Sequence, residues 1–436
     1  MTSYGGHSTR ASAASSTCGR IARNGSSTNP SETRLGRSSA LGPDTAVTVG
    51  DRIESALDGR MDAVPAALSS CDQPLATCYD VALLDLDGVV YVGPEAVTGV
   101  PAALTAVRQA GMRLAYVTNN ASRTPESIAE HLSSLGVAAD PSEVITSAQA
   151  AAHYLADRLP AGAPVLVVGT TGLLAALRER GLTPVDSAER QPQAVVQGYS
   201  PELDWRQLAE GAVAIRAGAT WIATNLDPTV PSPRGPLPGN GSMVAALRTA
   251  TGVTPISTGK PDPTMHRESV ERSGAQRPIV VGDRLDTDIE GASRVGCPSL
   301  LVLTGVTAPA DLLCASPQLR PDYLGRDASA LLVPHRAPSR TEDGARCGQW
   351  QARVGTGGGY QRSLQLRLLD DGDAGESGRE ESSSDDLDAL RALCVAAWMH
   401  ADADSGPLGR ADAAPVWRVE AADEVARDVV AALRLV

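Results

Sequence analysis

From Tyr79 onward, short apolar runs alternate with amphipathic segments closed by glycine, and this alternation commits the chain to an α/β architecture on parallel strands. The runs at Asp80–Leu86, Arg113–Thr118, Pro164–Val168, Ala194–Gln197, Thr220–Thr224, Pro278–Gly282 and Ser299–Leu303 read as buried strands. Helices are expected over Pro101–Ala110, Pro125–Leu135, Ser147–Arg158, Thr171–Arg180, Trp205–Ala217, Ser242–Ala250, Pro263–Ser273 and Asp288–Val295, with Gly111, Gly136 and Gly181 stopping three of them.

A length of 436 residues predicts two or three domains. The net charge of −13 argues against a nucleic-acid partner, which needs a basic stripe. No stretch approaches the roughly 18 uninterrupted apolar residues of a membrane span, so no membrane partner is expected. Seven cysteines, an odd number without a CxxC pair, indicate neither a disulfide framework nor a zinc site, and free thiols point to the cytoplasm. The chain has no Phe, and among its 38 basic residues only Lys260 is a lysine. A GC-rich coding sequence explains the bias. Lys260 then marks a place where a compact ammonium is needed and a forked guanidinium is not accepted.

Residues 1–70 lack hydrophobic periodicity and have the Ser-, Thr-, Gly- and Arg-rich composition of a disordered extension, with a transit peptide or an upstream start before Met61 as alternatives. Residues 334–349 are rich in Pro, Arg and Gly and read as a linker. Beyond it, 350–436 reads as a small α+β module: Gln349–Val354 and Ser363–Leu369 alternate like strands, and helical spacing recurs around Leu387–Trp398 and Val425–Val436. The acidic stretch from Asp370 to Asp388 between them reads as a solvated loop.

Ligands of α/β sheets bind at the carboxyl ends of strands. Four polar groups stand out: Asp85-Leu86-Asp87-Gly88, Thr118-Asn119-Asn120, and Gly282-Asp283 followed by Asp288, at strand ends, and Gly259-Lys260-Pro261 in a loop before a helix. Each alone reads as a turn or a helix cap. Together, in this order and with the only lysine among them, they describe phosphoryl transfer through an aspartyl phosphate. Asp85 would be the nucleophile and Asp87 the acid–base group. Asp283 completes a Mg²⁺ site with Asp85, and Asp288 joins it directly or through a water. Thr118 and the adjacent backbone, together with Gly88 and Asn119, would hold the phosphoryl oxygens, and Lys260 would neutralise them.

The segments DLDGVVY, VTNNAS, GKPDP and VGDRLDTDI resemble the haloacid dehalogenase superfamily, in its p-nitrophenylphosphatase and phosphoglycolate phosphatase-like branch, from about Tyr79 to Pro334. The resemblance implies a Rossmann-like core over 71–146 and 241–333, with an α/β cap inserted at 147–240. It also implies that Asp87 lends its backbone carbonyl to Mg²⁺, and that caps of this branch make homodimer contacts. Asn225, Asp227 and Arg234, at the end of the cap, are candidates for the substrate's polar tail. A closing cap selects a small phosphorylated metabolite. The layout, including the module after about 345, further resembles actinobacterial phosphatases acting on glycerol 3-phosphate, which puts that ester first and 2-phosphoglycolate second. In those proteins the tail is similar to a truncated acetyltransferase, but Gly357-Gly358-Gly359 lies between two strands and not before a helix, so a structural or assembly role is expected. A phosphomutase with the same core, or a sensor of a phosphorylated metabolite signalling through the tail, are the alternatives.

Overall fold

The first strand of the computed structural model, β1 (Val81–Leu84), has all four side chains buried, as a strand covered on both faces requires. The structure describes residues 68–230, 232, 234–355, 361–369, 385–404 and 416–435. From β1 the chain passes to β2 (Arg113–Thr118) and β3 (Val144–Thr146) by way of helices α1 (Val100–Gln109) and α2 (Pro125–Ser134). It leaves this sheet along α3 (Ser147–Ala156) and builds a second one from β4 (Pro164–Val168), β5 (Thr183–Val185), β6 (Ala194–Gln197), β7 (Thr220–Ala223) and β8 (Ile256–Ser257). Helices α4 (Thr171–Glu179), α5 (Trp205–Arg216) and α6 (Asn240–Thr251) lie along these connections. The return through α7 (Pro263–Ser273) leads to β9 (Pro278–Gly282), β10 (Ser299–Val302) and β11 (Tyr323–Gly325), with α8 (Glu290–Arg294) and α9 (Pro309–Leu313) between them.

The first sheet has the order β11-β10-β9-β1-β2-β3, all parallel. Val81 and Leu83 pack with Met265 and Ala292 on one face, and Ala82 and Leu84 pack with Leu104 and Leu132 on the other. Strand order reverses at the border between β1 and β9, the place where such sheets open a crevice. Leu84 stands opposite Val281 there, and the two strands end at Leu84 and Gly282, so the first residues beyond them, Asp85 and Asp283, emerge together.

The second sheet, in the order β8-β7-β6-β4-β5, is also parallel. It runs past residue 240, where the sequence reading ended the insertion: α6 packs on α5, and Ile256 pairs with Ile222 at the sheet edge. A two-residue strand is too short to show alternation, which is why periodicity missed it.

The third sheet has the order β12 (Ser339–Thr341), β13 (Gly344–Cys347), β14 (Trp350–Val354), β15 (Gln361–Leu368) and β16 (Val416–Ala421), antiparallel until the last, parallel pair. Helices α10 (Asp386–Asp404) and α11 (Glu424–Ala432) cover it. The segment 334–349, expected to be a linker, therefore contains two strands. Its Gly and Arg content hides a hairpin in which Ala345 and Cys347 are buried. Nor is the tail a separate body: Trp350, Leu393 and Trp398 share one apolar cluster with Leu301, Leu312 and Leu324 of the first sheet and its helices. Leu68, assigned to the extension from sequence, is 4% exposed in that same cluster. Of the expected extension, residues 1–67 lie outside the described residues, as do the glycines 357–359 and the acidic stretch from 370 up to 384. Among the described residues no helix is long and apolar enough to cross a membrane.

His266 on α7 is buried, neither ring nitrogen has a hydrogen-bond partner among the described residues, and burial followed by the nearby Lys260 charge pushes its pKa down to about 3. The unfolded chain takes up this proton near the ordinary pH of about 6.5, the folded chain only near 3. Stability should thus be full above that upper value and fall as the pH drops through this window. Chemical unfolding at pH 7 and pH 5 checks this; in His266→Gln the loss between the two should be smaller than in the native protein.

Candidate active site

Asp85 stands at the end of β1, where its N–H still continues the ladder to Val281 O (2.9 Å). The chain then turns sharply at Gly88, whose φ is +93°. A Cβ at Gly88 would lie 2.5 Å from Asp283 Oδ2, so only glycine lets the turn pack against that carboxylate. The Gly88 N–H donates to Tyr91 O at 2.8 Å, its carbonyl accepts from Thr304 Oγ1 at 2.5 Å, and the residue does not line the cavity. Its expected contact with phosphate is therefore replaced by a steric role.

Lys260 is the centre of charge. Its Nζ bonds Asp85 Oδ1, lies 2.7 Å from Asp288 Oδ1, and donates to Val117 O at 3.1 Å. Burial works against the ammonium, but Asp288 and Asp85 outweigh it and hold its pKa above the ordinary value. Burial raises the Asp85 pKa well above the carboxylate range, with Asp288 and Asp283 adding and Lys260 opposing. Asp283 is pushed up to about 6 by burial and by Asp288. Burial also raises Asp87, whose carboxyl reaches solvent through the cavity, against the pull of Arg123, Lys260 and the Tyr91 hydroxyl.

Carboxylate oxygens of Asp85, Asp283 and Asp288 lie within 4.8 Å of one another. Asp288 comes from a π-helical turn, Leu285–Ile289, that precedes α8 and replaces the start of the helix expected at Asp288. Asp283 Oδ2 accepts from the Val306 N–H (2.6 Å), while its buried Oδ1 has no hydrogen-bond partner among the described residues. An orphaned carboxylate oxygen beside two further carboxylates is what a hard, oxygen-seeking divalent cation satisfies, so the donor set fits Mg²⁺.

Asn119 joins the two sheets over this centre. Its Oδ1 accepts from the Lys260 N–H (2.8 Å), its Nδ2 donates to Asp227 Oδ2 (3.2 Å), and its carbonyl accepts from Asn225 Nδ2 (2.8 Å). Gly259 permits this crowding, since a Cβ there would meet Thr224 O at 2.1 Å. Thr118 is buried and its Oγ1 accepts from the Asn120 N–H (3.1 Å), leaving its proton for the cavity.

The cavity holds about 310 Å³ and is lined by Asp85, Asp87, Thr118, Asn119, Asn225, Asp227 and Lys260 from the sequence reading. Arg234 is not part of that lining. Tyr199, Asn240 and Arg284 are, and sequence reasoning missed all three. Tyr199 and Arg284 each lie two residues past a strand end, a position that had signalled the other groups; Asn240, at the start of α6, carried no such signal.

A haloacid dehalogenase-like hydrolase family model matches residues 82–183, and a second, HAD-hydrolase-like model matches 257–331. The chain is 45% identical over 355 residues to the D-glycerol 3-phosphate phosphatase of Mycobacterium tuberculosis, covering 81% of this chain and 93% of that protein. It is 37% identical over 257 residues to an acid sugar phosphatase of Staphylococcus aureus, covering 58% of this chain and 97% of that one. A crystal structure of glycerol phosphate phosphatase from Mycobacterium tuberculosis in complex with magnesium superposes with a TM-score of 0.70 at 42% identity, over 84% of this chain and 100% of the other. The chain belongs to the haloacid dehalogenase-like hydrolases. Within that family it is a phosphatase, a hydrolase of phosphate monoesters.

Proposed function

We propose that the protein hydrolyses glycerol 3-phosphate, with 2-phosphoglycolate as the second candidate, in a Mg²⁺-dependent reaction through an aspartyl phosphate on Asp85. The observation that carries this reading is the buried Lys260 bridging Asp85 and Asp288 beside the orphaned oxygen of Asp283. The similarity to the glycerol phosphate phosphatase supports the choice of ester, as does a cavity sized for a small metabolite. Asp85, Asp283 and Asp288 would hold the ion, together with the backbone carbonyl of Asp87. When bound, Mg²⁺ neutralises carboxylate and phosphoryl charge and draws the two together.

The Asp85 carboxylate attacks phosphorus, the bond to the glycerol oxygen breaks, and Asp87 gives its proton to the departing alkoxide. The raised pKa of Asp87 keeps that proton available. Asp87 then takes a proton from water, whose oxygen attacks the aspartyl phosphate; phosphate leaves and Asp85 is regenerated. Thr118 donates to the phosphoryl oxygens, while Lys260, whose three N–H groups are held by Asp85, Asp288 and Val117 O, offsets their charge from behind Asp85. Asn225 and Asp227 face the carbon tail, where hydroxyl groups can meet an acceptor and a donor. The resemblance also supports a homodimer with contacts through the second sheet, and the cysteines without a disulfide pattern support a cytoplasmic place.

Phosphate release from a panel of small esters, with Mg²⁺ and with EDTA, tests the assignment. Release from glycerol 3-phosphate above the other esters, abolished by the chelator, is expected. A different best ester overturns the substrate, and transfer of phosphate to a sugar rather than to water overturns the hydrolase in favour of a mutase. No release from a folded protein that still takes up Mg²⁺ overturns catalysis itself.

A further inference from the structure

The metal carboxylate Asp283 does not orient itself. Its Oδ2 accepts from the Val306 N–H, and its backbone carbonyl accepts from the Thr307 N–H at 3.1 Å, so the loop 304–307 fixes which oxygen is turned inward. That loop runs directly into α9, and α9 is held from outside the catalytic sheet. Trp398 of α10, wholly buried, donates its indole N–H to Leu312 O at 2.8 Å. Eight residues on, Arg320 donates from Nε to Ala315 O (3.1 Å), forms a two-pronged pair with Asp402 of α10 (2.8 and 2.7 Å), and sets its guanidinium 5.1 Å from the Trp398 ring centre. The segment 304–320 is therefore tied to Asp283 at one end and to the C-terminal module at the other.

We infer that the C-terminal module is a positioning element for the metal site: α10, through Trp398 and the Arg320–Asp402 pair, holds the 304–320 segment so that Val306 keeps Asp283 aimed at the cation. This rests on Asp283 being a metal ligand, as proposed above. The physical warrant is that groups hydrogen-bonded to a metal's ligands set the ligand's direction and hence the affinity, and their loss typically weakens binding about 10- to 100-fold. Trp398 acts one link further out, so about the lower end of that range applies. Asn225 and Asp227, proposed for the substrate's tail, follow β7 of the second sheet, whereas α10 packs on the third sheet, α9 and β11.

Calorimetric titration of Mg²⁺ into the full-length protein without substrate reads the effect. Trp398→Phe keeps an aromatic ring, a smaller one, and removes the donor; its Kd for Mg²⁺ should rise about tenfold, while KM for the ester at saturating Mg²⁺ stays at the native value. Asp402→Asn, at a partly exposed position, should shift the Kd in the same direction by less, and serves if the Trp398 variant does not fold. Val430→Ala, on α11 against β15 and β16, is the control for destabilisation alone and should lower Tm without moving the Kd. Native affinity in both α10 variants, while Asp283→Asn has lost binding, overturns the positioning role. Equal weakening in Val430→Ala at matched Tm also overturns it. Native Mg²⁺ affinity in Asp283→Asn removes the metal assignment and the inference with it.

Discussion

Asp85→Asn should release no phosphate above background, a loss of about 10⁴-fold or more in kcat, as expected when a nucleophile is removed from a set of groups that act as a unit. The amide has no anionic oxygen to form the acyl phosphate, and neither Asp283 nor Asp288 is free to take its place. Asp283 turns one oxygen to Val306 N–H, and Asp288 is held by the Arg284 N–H and Lys260. The fold should survive. In the metal-free protein Asp85 is a buried acid whose pKa is raised by burial and by two neighbouring carboxylates, so its replacement by a neutral isostere removes repulsion. Lys260 keeps Asp288 as a partner. Phosphate release and thermal unfolding measured together separate the two effects, and acid-quenched native enzyme should carry a phosphoryl group that the variant lacks. Turnover in the variant would end the covalent mechanism.

Lys260→Met should cost both activity and stability. Removing one partner of a buried ion pair typically destabilises by about 3–5 kcal/mol, because the remaining charges lose their compensation. Here two carboxylates are left, and both can escape part of the penalty by binding a proton. The loss of Tm should therefore be largest at high pH and should shrink when Mg²⁺ is added. Turnover should fall by about 10²–10³-fold, the usual effect of removing one donor aimed at developing charge. Lys260→Arg is the sharper test. It keeps the charge, yet the site is closed around a single Nζ that meets Asp85, Asp288 and Val117 O at once, and a planar fork cannot reproduce those three directions. An arginine variant with near-native turnover would show that the retained lysine is an accident of composition.

The candidate site was legible because most of its groups sit at strand ends, where alternating pattern stops and polar residues begin, with Lys260 in a loop before a helix. Asp85, Asp87, Thr118, Asn119, Asn225, Asp227 and Lys260 could all be placed in one cavity on that basis, and the structure puts them there. Gly88 shows the limit of the method: its place in the motif suggested phosphate, whereas its work is to let a turn lie against Asp283. Asn240, at the start of a helix, had no local signal, and Tyr199 had only its place two residues past a strand end. The same holds for fold. Long buried strands such as Pro278–Gly282 are readable to the residue, while Ile256–Ser257 and the hairpin of 339–347 are too short or too polar for periodicity to reveal. The binding of the tail to the first sheet was invisible, because apolar helical spacing around Trp398 says that a face is buried but not against what.

The cluster in which Leu301, Leu312 and Leu324 meet Trp350, Leu393 and Trp398 bears on how the chain is made. Synthesis runs from the amino end, and domains generally fold as they emerge. All the active-site residues have left the ribosome once residue 334 is out, yet the apolar surface around α9 still waits for partners more than sixty residues downstream, at Trp398. The nascent enzyme thus passes through a stage in which every catalytic side chain exists and the wall behind the metal loop is bare. Emergence of α10, rather than of the motifs, is what lets that apolar surface be covered.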